Sequence, residues 1–207
     1  MKSVNLIFVL VITSLIAFTG CNQPKPVKTI QNLKDGIIGE TTAGKKYEAF
    51  AQKAREEGFD TIAKLFDAAS KAESIHAANH KKVLDELGET MEDFTPEFEV
   101  KTTAENLQAA ITGESYEVST MYPQFLADAK AEKVEKAEKS FTWAFDTEKK
   151  HNDFYTAALA ALNTGSERNL PVGYAVCPTC GNTYDIAGVD AKCAFCQTDK
   201  EKFITFN

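Results

Sequence analysis

Basic charge is what this chain can least spare. Its 207 residues hold 23 Lys and Arg against 30 Asp and Glu, a net charge of −7, with no basic stripe to offset it. That balance argues against nucleic acid as a partner. Disulfide-type cysteine spacing is also missing: of five cysteines, Cys21 stands alone and the other four fall after residue 176. Such a distribution does not read as a disulfide framework. The long apolar run Leu6 to Phe18 covers 13 residues, too few to cross a bilayer as a mature helix. What is present can fold. With 43% apolar and 26% charged residues, the chain buries a core and is not disordered, and its length suits one medium domain plus a small one.

Residues 1–20 read as a targeting signal. Lys2 supplies the positive end, Leu6 to Phe18 the apolar segment, and small Thr19 and Gly20 lead into Cys21. Phe18-Thr19-Gly20-Cys21 resembles a bacterial lipobox, with Phe18 where Leu is usual. It implies lipidation of Cys21, which becomes the new N-terminus; the other reading is an ordinary cleaved signal. Residues 21–32, with Pro24 and Pro26 among polar neighbours, read as a tether. The expected place is the bacterial cell envelope, lipid-anchored to a membrane and facing out of the cytoplasm.

From residue 33 the pattern is mainly α. Leu33, Ile37, Glu40, Gly44, Tyr47, Ala51 and Ala54 alternate steps of four and three over 33–57, the spacing of a bundle helix. Gly58 suits a helix C-terminus and Asp60 an N-cap. A second helix carries Ile62, Phe66, Ala69, Glu73, His76, His80, Val83 and Leu87 on its seam, ending at Gly88. A third, over roughly 97–128, carries Leu107, Ala110, Glu114, Glu117 and Met121, with Gly113 and Pro123 inside it. The fourth starts near 130 and keeps its register through Val134, Ala137, Phe141, Ala144, Glu148, His151, Tyr155, Ala158 and Leu162. The helical pattern stops at Asn163-Thr164-Gly165-Ser166. Residues 33–165 are thus expected to form a four-helix bundle, and 166–207 a small β-rich module.

Seven ionisable residues interrupt those seams: Glu40, Glu73, His76, Glu114, Glu117, Glu148 and His151. Carboxylates are almost never buried unless paired or bound to metal. Glu73-Ser74-Ile75-His76 and Glu148-Lys149-Lys150-His151 are both Glu-x-x-His, a spacing that puts both side chains on one side of a helix. Two such motifs with single glutamates from two other helices are the ligand pattern of ferritin-like dinuclear sites. Glu40 and Glu114 supply the single glutamates, Glu73 and Glu148 the bridges, and Glu117 is a fifth carboxylate. Hard carboxylates offset the charge of two metals, and each imidazole adds a terminal nitrogen. The bland reading, ion pairs without metal, would desolvate seven groups at several kcal/mol each. Iron fits the ligands, as does manganese. His80, one turn beyond His76, suits a supporting or capping role better than ligation. Tyr47 and Tyr122, seven residues after Glu40 and five after Glu117, can pack in the core or hydrogen-bond a ligand carboxylate.

Cys177-Pro178-Thr179-Cys180 and Cys193-Ala194-Phe195-Cys196, with twelve residues between, form one tetrahedral four-cysteine metal site. The spacing does not separate iron from zinc, and two disulfides are the remaining alternative. Cys177-Pro178-Thr179-Cys180-Gly181 with Tyr184 resembles the first knuckle of a rubredoxin, and Lys200-Glu201-Lys202-Phe203 the tail of rubredoxin-like modules fused to diiron bundles. In the second knuckle Ala194 replaces the usual proline and Gln197 the usual glycine.

Bundle and module together resemble a rubrerythrin over about residues 33–207. The resemblance implies a diiron peroxidase that reduces hydrogen peroxide to water in oxidative-stress defence, with electrons relayed through one iron in the four-cysteine site. It implies that one iron moves between His76 and Glu117 with redox state, and that Tyr47 and Tyr122 lie by the diiron site as catalytic tyrosines. It also implies a homodimer in which one chain's rubredoxin centre serves its partner's diiron site. The electron donor is left unnamed. Two other functions fit the motifs: an iron-handling ferroxidase whose four-cysteine site holds structural zinc, and an electron carrier or binding module.

Overall fold

Val27 starts a helix that runs unbroken to Glu56 (α1), six residues before the expected start of the bundle at residue 33. A computed structural model describes residues 24–207; the signal segment and Cys21 lie outside the described residues. The early start has a long-range cause. The Glu132 carboxylate accepts hydrogen bonds from the Lys28 and Thr29 amides at 3.1 and 2.7 Å, satisfying N–H groups that a helix start leaves bare. Asp128 also accepts from the Asn32 side chain at 3.1 Å. Thr29, Ile30 and Asn32 are buried in consequence.

The second helix, Asp60–Glu86 (α2), is capped by Phe59 without a side-chain bond, so Asp60 is its first residue and not its N-cap. There the carboxylate still favours the positive helix end. Gly58 takes φ +86° between α1 and α2. Residues 89–102 have no regular structure, and the third helix begins later than its seam suggested, at Thr103–Tyr116 (α3). Thr102 and Glu105 make a reciprocal capping box, a stronger start signal than apolar spacing. One five-residue π turn, Glu117–Met121, then joins α3 to Tyr122–Ala131 (α4). The wide turn accommodates Pro123, whose missing N–H falls where the ladder has already been broken. The last helix is Glu135–Thr164 (α5), closed by left-handed Gly165.

α1 and α2 pack as one antiparallel pair and α3–α4 lies along α5, giving a four-helix bundle. Two apolar clusters fill it. Tyr47, Phe50, Leu65, Phe66, Leu107 and Tyr155 belong to one, and Leu33, Ile37, Leu84, Tyr122, Phe125 and Phe141 to the other. Between them lies a layer of buried carboxylates and imidazoles.

The C-terminal module is a three-stranded antiparallel sheet in the order Thr183–Asp185 (β2), Tyr174–Val176 (β1), Ile204–Phe206 (β3). Two knuckles sit at its end: the Gly181 amide donates to the Cys177 carbonyl and the Gln197 amide to the Cys193 carbonyl, both at 3.0 Å. Gly181 has φ +83° and Gln197 φ +63°. Gln197 therefore occupies a conformation that disfavours side chains by roughly 1–2 kcal/mol, and its side-chain Nε2 also donates to the Cys193 carbonyl at 3.1 Å. Among the described residues no helix is long and apolar enough to cross a membrane.

Candidate metal centres

The apolar rhythm of α1, α2, α3 and α5 delivers Glu40, Glu73, His76, Glu114, Glu148 and His151 to one buried layer. Their ligand atoms form two overlapping groups. Glu40, Glu73, His76 and Glu148 make one; Glu73, Glu114, Glu148 and His151 make the other, each spread over no more than 4.8 Å. Glu73 and Glu148 belong to both, as bridging carboxylates must. Each imidazole turns Nδ1 inward. His76 Nδ1 lies 3.0 Å from Glu73 and 2.9 Å from Glu148, and His151 Nδ1 lies 3.1 and 2.8 Å from the same pair.

These atoms fit metals better than they fit one another. Glu40 Oε2, Glu73 Oε1, Glu114 Oε2, both oxygens of Glu148 and His151 Nδ1 are buried without a hydrogen-bond partner. Several sit at ion-pair distance, yet at angles no hydrogen bond takes. Buried polar atoms are rarely left so, and lone pairs converging on shared space are what a dinuclear centre requires. The electrostatics agree. Burial pushes the Glu40 carboxyl up to about 8, with repulsion from Glu148 adding to it. Burial also raises Glu114, reinforced by Glu148 and Glu73. Glu73 is held at about 2 because the His151 and His76 charges outweigh its burial. Burial alone would lower both histidines, but Glu148, Glu73 and, for His76, Glu40 raise them well above the ordinary value. Protons thus hold the layer together where metals would replace them.

Glu117 joins neither ligand group. It opens the π turn and is half-buried, displaced from the α3 seam by the extra residue there. It remains within the field of the layer: burial raises its carboxyl, and Glu40 and Glu114 raise it further. The Tyr47 hydroxyl donates to Glu114 at 2.7 Å and the Tyr122 hydroxyl to Glu40. Burial raises both phenols well above their ordinary range, so both remain donors. His80 lies outside the ligand groups, its ring nitrogens 2.7 Å from Ser140 Oγ and 3.1 Å from the Tyr122 hydroxyl. Burial and the His76 charge hold it down at about 3, hence neutral. Because the Tyr122 hydroxyl already donates to Glu40, His80 Nε2 donates to Tyr122 and Nδ1 accepts from Ser140.

The cysteine sulfurs lie 3.4 Å apart as Cys177–Cys196 and as Cys180–Cys193. A disulfide needs about 2.05 Å, whereas thiolates on the edges of one metal tetrahedron lie farther apart. Hydrogen bonds from Cys177 and Cys180 hold the Cys193 thiol far below its ordinary value, and the same sharing pushes Cys180 up. One sulfur is thus a thiolate that the others solvate.

The module is seated on its own chain's bundle. His151 Nε2 lies 2.9 Å from Thr183 Oγ1, whose hydroxyl donates to the Gly181 carbonyl at 3.2 Å. Thr183 can then only accept from His151, so Nε2 carries the proton and Nδ1 is free for metal. Gly181 backs His76 so closely that a Cβ there would lie 2.3 Å from Nε2. Asn79 donates to the Thr179 carbonyl at 3.0 Å and Lys150 to Asn182 Oδ1 at 2.7 Å. The resemblance placed this contact between chains. None of Thr183, Asn182 or Lys150 stood out in the sequence, because contacts between units leave no local periodicity. Tyr155, buried beside His151 with an unpartnered hydroxyl, was readable only as a seam residue.

A family model for rubrerythrin matches residues 31–159. The chain belongs to the rubrerythrin family. Nigerythrin of Nitratidesulfovibrio vulgaris is 36% identical over 187 residues, covering 86% of each chain. Rubrerythrin-2 of Clostridium acetobutylicum is 31% identical over 183 residues, 88% of this chain and 98% of that one. In three dimensions the chain superimposes on nigerythrin in its fully reduced, all-ferrous state with TM-score 0.78 at 30% identity, over 100% of both chains. An open-pore ferritin from Archaeoglobus fulgidus, TM-score 0.58 at 15% identity, shares the helical fold alone. As a rubrerythrin, the chain pairs carboxylate–histidine ligands for a diiron centre with a rubredoxin-like four-cysteine site.

Proposed function

We propose that this chain reduces hydrogen peroxide to water, H2O2 + 2 H⁺ + 2 e⁻ → 2 H2O, with electrons entering through an iron in the four-cysteine site. The observation that carries this reading is the Cys177–Thr183 knuckle lying against both terminal histidines, Gly181 on His76 and Thr183 on His151. A structural zinc knuckle has no need of that position. When bound, the two irons supply the electron pair that peroxide accepts. The chain's own residues do the rest. Glu73 and Glu148, common to both ligand groups, would hold both metals, and Glu40 and Glu114 one each. Tyr47 and Tyr122 hold protons at their hydroxyls against those terminal carboxylates, and the apolar clusters on either side exclude bulk water. Glu117, one π turn away, would serve as the alternative terminal ligand to His76 in the other redox state. We further propose a homodimer, carried at the bacterial envelope by lipid on Cys21 and supplied by a separate electron donor.

Protein purified without added metal is expected to hold about three irons per chain, two in the bundle and one in the cysteine module. Glu117→Ala is expected to keep that iron while slowing anaerobic peroxide consumption. About two irons with one zinc would remove the relay and favour iron oxidation as the function. A Glu117→Ala rate equal to the parent's would end the ligand-exchange account.

A further inference from the structure

Lys150 stands between the two bundle ligands of α5, inside the motif Glu148-Lys149-Lys150-His151, yet it serves the other centre. Among the described residues its ammonium makes no ion pair, whereas neighbouring Lys149 pairs with Asp146 at 2.8 Å. Lys150 is half-buried and turned into the module. It donates to Asn182 Oδ1 at 2.7 Å and lies 4.4 Å from the Tyr184 ring centre and 4.9 Å from that of Phe195. Those groups surround the thiolates. Asn182 Nδ2 is 3.9 Å and the Tyr184 hydroxyl 3.4 Å from Cys193 Sγ. A cation taken partly out of water is costly unless an anion faces it, and the anion here is the four-cysteine centre.

We propose that Lys150 is a fixed counter-charge that raises the reduction potential of the four-cysteine iron centre. The inference rests on reading that site as iron. Four thiolates with ferric iron carry a net charge of −1, and with ferrous iron −2. A positive charge held nearby by two rings and an amide stabilises the second more than the first. Because α5 also carries Glu148 and His151, one helical turn ties the energy of the donor centre to the ligands of the acceptor. Lys150 binds no metal; it acts through the field and through Asn182.

The test is an optical redox titration of the ferric-thiolate band in the full, iron-loaded chain and its Lys150→Gln, Lys150→Met and Lys150→Arg variants. Gln and Met are each expected to lower the equilibrium constant for reduction about tenfold, which is about 59 mV for one electron. Arg, which keeps the charge, is expected to stay within about threefold of the parent. Gln and Met variants that titrate with the parent would overturn the proposal. So would an equal fall in all three, which would make shape the cause. A parent chain with no titrating band refutes the iron relay itself, an outcome distinct from a normal band that ignores Lys150.

Discussion

Gly181→Ala is the sharpest perturbation of the seat between module and bundle. The position has φ +83°, where a side chain costs roughly 1–2 kcal/mol. The new methyl would lie 2.3 Å from His76 Nε2, 2.6 Å from its Cδ2 and 3.2 Å from the Ala72 carbonyl. His76 cannot swing aside without withdrawing Nδ1 from Glu73 and Glu148, and the carbonyl belongs to α2, so the module must lift instead. Overpacking of that kind adds about 1–3 kcal/mol. The φ strain stays with the knuckle whether docked or lifted, so the clash alone, about 1–3 kcal/mol, shifts docking toward the open form by between about fivefold and 150-fold. Hydrogen exchange of the amides of residues 177–184 and of α2 around His76 should report it, as should proteolysis in the 165–173 connection. The four-cysteine site is made within the module, so its metal content should hold. Exchange and cleavage rates equal to the parent's would refute the seat described here.

Two further outcomes follow from the same geometry. In the metal-free chain Glu40 keeps its proton to about pH 8, while an unfolded glutamate releases it near 4.5; His76 and His151 are likewise raised. The folded state therefore holds more protons across this range, and metal-free stability should fall as pH rises from 4.5 to 8. The Glu73 contribution runs the other way, but only as pH falls toward 2. Glu40 alone contributes about 3 kcal/mol between pH 5.5 and 8, so calorimetry with chelator should show a Tm about 5–10 °C lower at pH 8. Iron loading should flatten that slope; a metal-free Tm that rises over this interval would contradict the assignment. The second outcome concerns electron routing. Because each knuckle sits on its own bundle, mixing Cys177→Ser chains with Glu73→Ala chains should leave donor-coupled peroxide turnover near zero. Recovery of a sizeable fraction would move the route between chains.

What was legible in the sequence was whatever repeats along one element. Seven ionisable residues stood out because each replaced an apolar residue in a 3–4 rhythm, six of which meet in the ligand groups, and the cysteines because a knuckle has fixed spacing. What escaped notice was set by distant or non-repeating chemistry. The start of α1 is held by Glu132, about a hundred residues away, so no local pattern could reveal that the expected tether is helix from Val27. The π turn at Glu117–Met121 adds a residue to the seam, which carried Glu117 out of the ligand groups and ended the simple register. Thr102 and Glu105 form a local start signal that apolar spacing alone does not carry.

The two units are mechanically one device, and the reason lies in the tautomers. A histidine ligand binds metal with an unprotonated nitrogen, so the proton must be stabilised on the other. For His151 that other nitrogen faces Thr183 of the module, and the Thr183 hydroxyl is already committed to the Gly181 carbonyl. For His76 it packs against the Gly181 backbone without a hydrogen-bond partner. The loop that holds Cys177 and Cys180 therefore decides which nitrogen His151 offers to the bundle, and its backbone packs against the ring of His76. A chain without the module would lose Tyr174 and Val176 from the first apolar cluster, and with them the hydrogen-bond partner of His151 and the backbone packed on His76. Metal affinity in the bundle should thus depend on a domain that contributes none of its ligands, and the electron route and the ligand geometry share the same few atoms.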